Sequence, residues 1–206
     1  SFIISTERIK LLCDPWLFGS IFNNGWRLLK EENHDKQLKG ITHIFFSHEH
    51  PDHFSVQFIK KIDEKLRSNI TILYQETFDK KIKKFCEKLG YKFIELKNKT
   101  TFKLDNNFEV ICGTVPVYDS WINFRINNYN FLNVNDCVLA NSKLIYEIRQ
   151  TIKGNINTLT TQFSYASYGE DKISREKSVT NQLKSIKKQD QILKPKFIIP
   201  AFSFVY

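Results

Sequence analysis

The sequence has 206 residues, 41% of them hydrophobic, which suits one globular domain with a substantial buried core. Its formal net charge of +9 indicates a lysine-rich surface or a small anionic ligand rather than nucleic acid, because the lysines are scattered and no nucleic-acid-binding motif accompanies them. No apolar run reaches the roughly 18 residues that a transmembrane helix needs.

Short apolar runs in the first half of the sequence predict strands. They cover residues 1–5, 9–15, 41–47, 69–75 and 91–96. Residues 16–40 predict a long loop with one helical turn. Apolar residues at helical spacing predict helices over 52–66 and 77–90, the second ending at Gly90.

The second half begins with four strand-like runs separated by Asn-rich turns, which predict an antiparallel meander. They cover residues 101–105, 108–117, 120–127 and 129–136. A helix over 142–152, a strand over 156–164, a helix over 174–193 with Ser174 as its N-cap and a strand over 196–202 follow. The whole order predicts one α/β domain over 1–206.

Three of the five histidines lie within six residues, directly after the predicted strand 41–47. His48 and His50 alternate on an extended segment, so both imidazoles can point to one place. Asp52 and His53 lie at the start of the predicted helix and face a second place nearby. Imidazole suits zinc or iron, and carboxylate extends the choice to harder metals. The cluster predicts a two-metal site, since a polar turn suits an isolated histidine better than three together.

The spacing H-x-H-x-D-H after an apolar strand resembles the metallo-β-lactamase superfamily, and "LLCDPWL" one strand earlier strengthens the resemblance. Stretches spread over nearly the whole chain resemble the branch that contains the CMP-N-acetylneuraminate hydroxylases and is related to ascorbate-6-phosphate lactonases. They are "CDPWLFGSIFNNGW", "YDSWINFRI", "FLNVNDC", "TQFSYA" and "IIPAFSFVY". The resemblance implies an αββα sandwich, with two mixed sheets between helices.

The resemblance also implies a ligand set. His48 and His50 match the ligands of a first metal, and Asp52 and His53 match those of a second. Asp136, in "NVNDC", matches the carboxylate that bridges the two metals, although a turn residue after a strand is the alternative. The implied cofactor is one or two divalent ions, with zinc as the first choice and iron or manganese as alternatives.

Further residues are candidates for orienting the site or contacting the substrate. Asp14 matches a residue that orients the metal site. Tyr118, Asp119 and Ser120 occupy the stretch where the superfamily usually supplies a third histidine, and no histidine follows His53 in this sequence. Asp119 is therefore either a ligand or a turn residue.

The last histidine of the superfamily pattern normally follows the final strand. The sequence contains no methionine and ends on an apolar run. We therefore expect the natural protein to extend beyond both ends and to carry a histidine soon after residue 206. The four cysteines stand singly, which excludes C-x-x-C and C-x-H motifs and indicates reduced thiols in a cytoplasmic protein.

The resemblance implies a metallo-hydrolase. In such an enzyme a metal-bound hydroxide attacks an ester, amide, lactone or phosphoester of an anionic substrate, including sugar- or nucleotide-linked ones, and Asp52 accepts the proton. One alternative is an iron-dependent oxygenase resembling CMP-sialic acid hydroxylase. The other is a degenerate, non-catalytic binding module, which the missing third histidine favours. The sequence predicts no oligomeric state.

Overall fold

The computed structural model describes residues 1–29, 33–116, 119–139, 141–163 and 171–201. The chain forms two compact units, Ser1–Asn98 and Lys99–Tyr206. Each unit contains one main sheet, and each of these sheets combines parallel with antiparallel pairs. The predicted α/β class with two mixed sheets is confirmed, whereas the number of domains stays a prediction.

The first unit is built on a five-stranded sheet. Its strands are β1 (Phe2–Ser5), β2 (Lys10–Cys13), β5 (His43–Phe46), β6 (Thr71–Gln75) and β7 (Lys92–Leu96). β1 pairs antiparallel with β2, and β2, β5, β6 and β7 follow as parallel neighbours. The carboxyl ends of β2, β5 and β6 therefore meet at one edge of the sheet.

Short elements complete the first unit. They are β3 (Ser20–Ile21), β4 (Trp26–Arg27), α1 (Asp35–Leu38), α2 (Val56–Lys61), α3 (Glu64–Arg67) and α4 (Lys81–Lys88). The prediction for 16–40 was wrong in one respect, because β3 and β4 form a small antiparallel hairpin there. α4 ends at the predicted place, with Gly90 at a φ of +92°.

The single helix predicted over 52–66 was also wrong. The Ser55 side chain accepts a hydrogen bond from the backbone N–H of Phe58 and begins α2 there, so Asp52 and His53 lie in the preceding turn. The Asp63 side chain accepts from the N–H of Lys65 and begins a separate helix, α3.

The second unit is built on a six-stranded sheet. Its strands are β8 (Thr100–Asp105), β9 (Phe108–Thr114), β10 (Ser120–Ile126), β11 (Tyr129–Asn133), β12 (Ile156–Gln162) and β13 (Phe197–Ala201). β8 to β11 form the predicted antiparallel meander. β11, β12 and β13 are parallel, and the helices α5 (Ser142–Thr151) and α6 (Lys172–Leu193) connect them. The Asp171 carboxylate caps α6 by accepting from the N–H of Ser174, so the predicted N-cap at Ser174 was wrong.

Each unit has its own hydrophobic core. In the first unit, Phe46 and Phe54 pack with their ring centroids 4.8 Å apart. In the second unit, Trp121 is fully buried against Gly113. Within the described ranges, no helix is long and apolar enough to cross a bilayer.

Candidate metal centre

The histidine segment leaves β5 at the edge where β2, β5 and β6 end. The backbone N–H groups of His53 and Phe54 both donate to the carbonyl of His50, at 3.0 and 2.7 Å. The Gln75 amide, at the end of β6, donates to the carbonyl of Ser47 at 3.2 Å. These bonds fold the segment into a tight turn that holds its side chains over the end of the sheet.

His48 and His50 come together as a pair. Nε2 of His48 lies 2.9 Å from Nδ1 of His50, and the two rings meet edge to face. Two imidazole nitrogens on one tetrahedral zinc ion are about 3.3 Å apart, given zinc–nitrogen bonds of about 2.0–2.1 Å. A movement of a few tenths of an ångström therefore lets both nitrogens bind one ion.

His48 is in the protonation state that binds metal. His48 is buried, and burial together with the neighbouring His53 lowers its pKa to about 3. The ring is therefore neutral at physiological pH, and neutral imidazole is the metal ligand.

His53 and Asp52 form a second pair beside the first. Nε2 of His53 lies 3.5 Å from Oδ2 of Asp52, and the His53 and His48 ring centroids are 4.2 Å apart. Oδ1 of Asp52 is buried without a hydrogen-bond partner among the described residues. A buried carboxylate oxygen without a donor is costly, and a cation offsets that cost. The donor set of this turn therefore fits a divalent ion.

Asp14 supports both pairs from the end of β2. Its φ of +43° and the hydrogen bond from its N–H to the Phe45 carbonyl turn its carboxylate toward the histidine turn. The carboxylate accepts from the N–H of Ser47 at 2.8 Å and lies 3.2 Å from Nδ1 of His53. Burial opposes the charged carboxylate, but His53 and the Ser47 N–H hold the pKa of Asp14 below its ordinary value.

In the second unit, a network of buried polar side chains fixes the turn that carries Asp136 after β11. The Asn133 amide donates to the Asn135 side chain at 2.7 Å, and the Thr160 hydroxyl donates to the Asn133 carbonyl oxygen at 2.7 Å. The Asn135 amide donates to the backbone carbonyl of Ser120 at 3.3 Å. Asp136 follows this network and is half-buried.

Solved structures of known proteins share this fold. The structural alignment with a mutant of CmlA beta-hydroxylase covers 95% of this chain and 42% of the CmlA chain, with a TM-score of 0.70 and 14% identity. The alignment with the Bacillus subtilis metallo-beta-lactamase fold protein YhfI covers 99% of this chain and 89% of the YhfI chain, with a TM-score of 0.54 and 11% identity. The chain has the metallo-β-lactamase fold.

The sequence comparison confirms the resemblance to the hydroxylase branch of this fold. Cytidine monophosphate-N-acetylneuraminic acid hydroxylase of Xenopus laevis is 31% identical over 140 residues, which are 64% of this chain and 23% of the relative. The Sus scrofa protein of the same name is 28% identical over 141 residues, 64% of this chain and 32% of the relative. The chain thus spans about a quarter to a third of these relatives. No family model matches the chain.

The structure divides the predicted site residues of this metallo-β-lactamase fold between its two units. The first unit brings together five of them: Asp14, His48, His50, Asp52 and His53. The second unit holds Asp119, Ser120 and Asp136, while Tyr118 lies outside the described residues. The Asp119 carbonyl accepts from the N–H of Val115 at 2.9 Å, and Ser120 is fully buried at the start of β10.

Sequence reasoning missed residues that position the ligands. Ser47 contacts Asp14, His48 and His53, and Gln75 holds the Ser47 backbone. The available signal was a serine between an apolar strand and the first histidine, together with a polar residue at the end of β6. In the second unit, the signal for the Asn133 network was the small polar run before Asp136.

Proposed function

We propose that this chain is the metal-binding domain of an iron-dependent hydroxylase acting on an anionic, sugar-nucleotide-like substrate. One observation carries the proposal: 140 residues of the chain are 31% identical to cytidine monophosphate-N-acetylneuraminic acid hydroxylase of Xenopus laevis. The net charge of +9 supports an anionic substrate. The fold and its pair of histidines support a divalent metal cofactor.

The proposed ligands are those of the sequence pattern. His48 and His50 bind one ion together with Asp136, and Asp52 and His53 bind a second. The sequence has no histidine between His53 and Asp136, so the first ion receives two histidines and a carboxylate. Two histidines with one carboxylate and open positions are typical of non-haem iron oxygenases. The ligand set thus favours iron over zinc.

Bound iron supplies the oxygen chemistry, and the residues of the chain prepare the site for it. The reaction class transfers one oxygen atom of dioxygen into a C–H bond and reduces the other to water, using two electrons and two protons from an external donor. His48 is neutral and needs no deprotonation before binding. Asp14 holds His53, and the Asp52 carboxylate is the proposed group that accepts and returns a proton.

A metallo-hydrolase is the second candidate, with zinc as its cofactor. Both ligand pairs of the H-x-H-x-D-H motif are present, and the buried Oδ1 of Asp52 suits the proton acceptor of a hydrolytic water. Tyr118, Asp119 and Ser120 remain proposed substrate contacts in either reaction. A cytoplasmic location also stays a proposal, supported by four buried, reduced cysteines.

Metal loading separates the two reactions. The protein is loaded anaerobically with Fe²⁺ or Zn²⁺ and given CMP-N-acetylneuraminate with a chemical electron donor. Under the hydroxylase proposal, mass spectrometry shows a product heavier by one oxygen atom only with iron, dioxygen and donor together. Turnover by the zinc-loaded protein without oxygen would overturn this proposal in favour of hydrolysis.

A further inference from the structure

The Ser47 hydroxyl lies at the centre of the histidine turn. Ser47 follows β5 directly and is fully buried. Its Oγ lies 3.1 Å from both carboxylate oxygens of Asp14, 3.0 Å from Nδ1 of His48 and 3.1 Å from Nδ1 of His53. One hydroxyl therefore contacts three side chains of the candidate metal centre at hydrogen-bond distance.

One arrangement of donors and acceptors makes every one of these contacts a hydrogen bond. A serine hydroxyl has one hydrogen to donate and two lone pairs that accept. The Asp14 carboxylate accepts only, so the hydroxyl donates to it. The two lone pairs then accept from the histidine rings, and each ring must carry its hydrogen on Nδ1.

This arrangement determines which ring nitrogen carries the lone pair that binds metal. A neutral imidazole with its hydrogen on Nδ1 has its lone pair on Nε2. Nε2 of His48 faces Nδ1 of His50, and Nε2 of His53 faces the carboxylate of Asp52. The lone pairs of both rings thus point at the other proposed ligands.

We propose that Ser47 is a positioning residue that fixes the Nδ1–H tautomers of His48 and His53 and so directs Nε2 of both rings to the metal. The expected effect on metal binding rests on the proposed metal site, whereas the tautomers are a property of the metal-free chain. The Ser47 backbone N–H donates to the Asp14 carboxylate, and the Ser47 carbonyl accepts from the Gln75 amide, so both bonds hold the hydroxyl in place.

The two histidines depend on Ser47 to different degrees. Nδ1 of His53 also lies 3.2 Å from the Asp14 carboxylate, which remains an acceptor when the hydroxyl is removed. For His48, the Ser47 hydroxyl is an acceptor 3.0 Å from Nδ1. Removal of the hydroxyl should therefore change the tautomer of His48 and leave that of His53 unchanged.

Nitrogen-15 NMR of the histidine side chains tests this in the metal-free protein. The wild type should show both rings with hydrogen on Nδ1. Ser47→Ala should shift His48 toward the Nε2–H form, and Ser47→Thr, which keeps the hydroxyl, should retain the wild-type spectrum. A wild-type His48 with its hydrogen on Nε2 would overturn the inference without any variant.

Metal affinity gives the second measurement. Chelator competition with Zn²⁺ or Fe²⁺ should show that Ser47→Ala lowers metal affinity by about 10- to 100-fold. This is the effect typical of removing a hydrogen-bond partner of a histidine ligand. Ser55→Ala is the matched control, since it removes another buried serine hydroxyl of the same unit and should leave affinity unchanged. Unchanged affinity in Ser47→Ala with a wild-type tautomer contradicts the inference. Correct tautomers in a protein that binds no metal instead contradict the proposed function.

Discussion

At the scale of single residues, the candidate centre depends on groups that are costly to bury without a cation. Oδ1 of Asp52 is buried without a hydrogen-bond partner among the residues described, and His48 is kept neutral by burial. A neutral imidazole beside an unsatisfied carboxylate oxygen is a poor arrangement for stability alone. It is a good arrangement for binding a divalent ion.

Removal of one histidine of the first pair should abolish metal binding there. We expect His48→Ala to lower metal affinity by at least about 100-fold, because even the loss of an outer hydrogen-bond partner costs 10- to 100-fold. Activity should be lost whether the reaction is hydroxylation or hydrolysis. His34→Ala, before α1, is the control and should bind metal as the wild type does. Function that survives His48→Ala would support the non-catalytic binding module.

The sequence allowed the ligand candidates to be predicted, but not the side chains that orient them. The H-x-H-x-D-H spacing is local, so it can be recognised along the chain. The role of Ser47 depends on Asp14, 33 positions away, whose left-handed backbone turns its carboxylate to the serine. Such a contact follows from pairing of β2 with β5, which the sequence alone does not specify.

At the scale of elements, strands were predicted better than helix boundaries. After His43, the strand β5 is apolar and buried, as expected of a parallel strand buried on both faces. The break between α2 and α3 was missed because apolar periodicity continues across Asp63. The carboxylate of Asp63 instead captures the N–H of Lys65, and this local bond decides where the helix begins.

Close packing of β9 against β10 makes Gly113 sensitive to substitution. A Cβ at this position would lie 2.2 to 2.5 Å from atoms of the Trp121 indole, which is fully buried. Gly113→Ala should therefore destabilise the protein by about 1–3 kcal/mol, as overpacking does, measured by urea unfolding. In a Trp121→Phe background, which removes the indole atoms concerned, the same change should cost less. An equal cost in both backgrounds would contradict this explanation.

An ion-pair cluster between α4 and β7 should make stability depend on pH. Glu95 lies 2.7 Å from the Lys80 ammonium and 3.0 Å from that of Lys83. Burial opposes its charge, but these two bonds hold the pKa of Glu95 below 4.5. Its stabilisation is thus present above pH 4.5 and lost as the pH falls through the lowered pKa. Urea unfolding should show that Glu95→Gln has a lower free energy of unfolding than the wild type at pH 7 and nearly the same value at pH 2.

At the scale of the whole molecule, the residues of the predicted ligand pattern lie in both compact units. The histidine turn belongs to the first unit and Asp136 to the second. The alternation of strands and helices predicted the α/β class correctly, because the periodicity of apolar residues reports the type of each element. The substrate could not be predicted in the same way, since fold and function are only loosely connected.

Metal should stabilise the chain against heat if the histidine turn binds a divalent ion. Binding to the folded state alone raises the free energy of unfolding by about 2.7 kcal/mol at a concentration 100 times the dissociation constant. Wild-type protein should therefore unfold at higher temperatures as Fe²⁺ or Zn²⁺ is added. His50→Ala should lose most of this shift because it removes a ligand from the first unit.

Asp136→Asn tests the contribution of the second unit in the same experiment. An amide keeps the shape of the carboxylate but lacks its charge, so the metal-dependent shift should shrink as it does in His50→Ala. Asp190→Asn, on the exposed face of α6, is the matched control, and metal should raise its unfolding temperature as much as that of the wild type. If metal raises the unfolding temperature of Asp136→Asn as much as that of the wild type, Asp136 is a turn residue and the first ion takes its carboxylate from elsewhere.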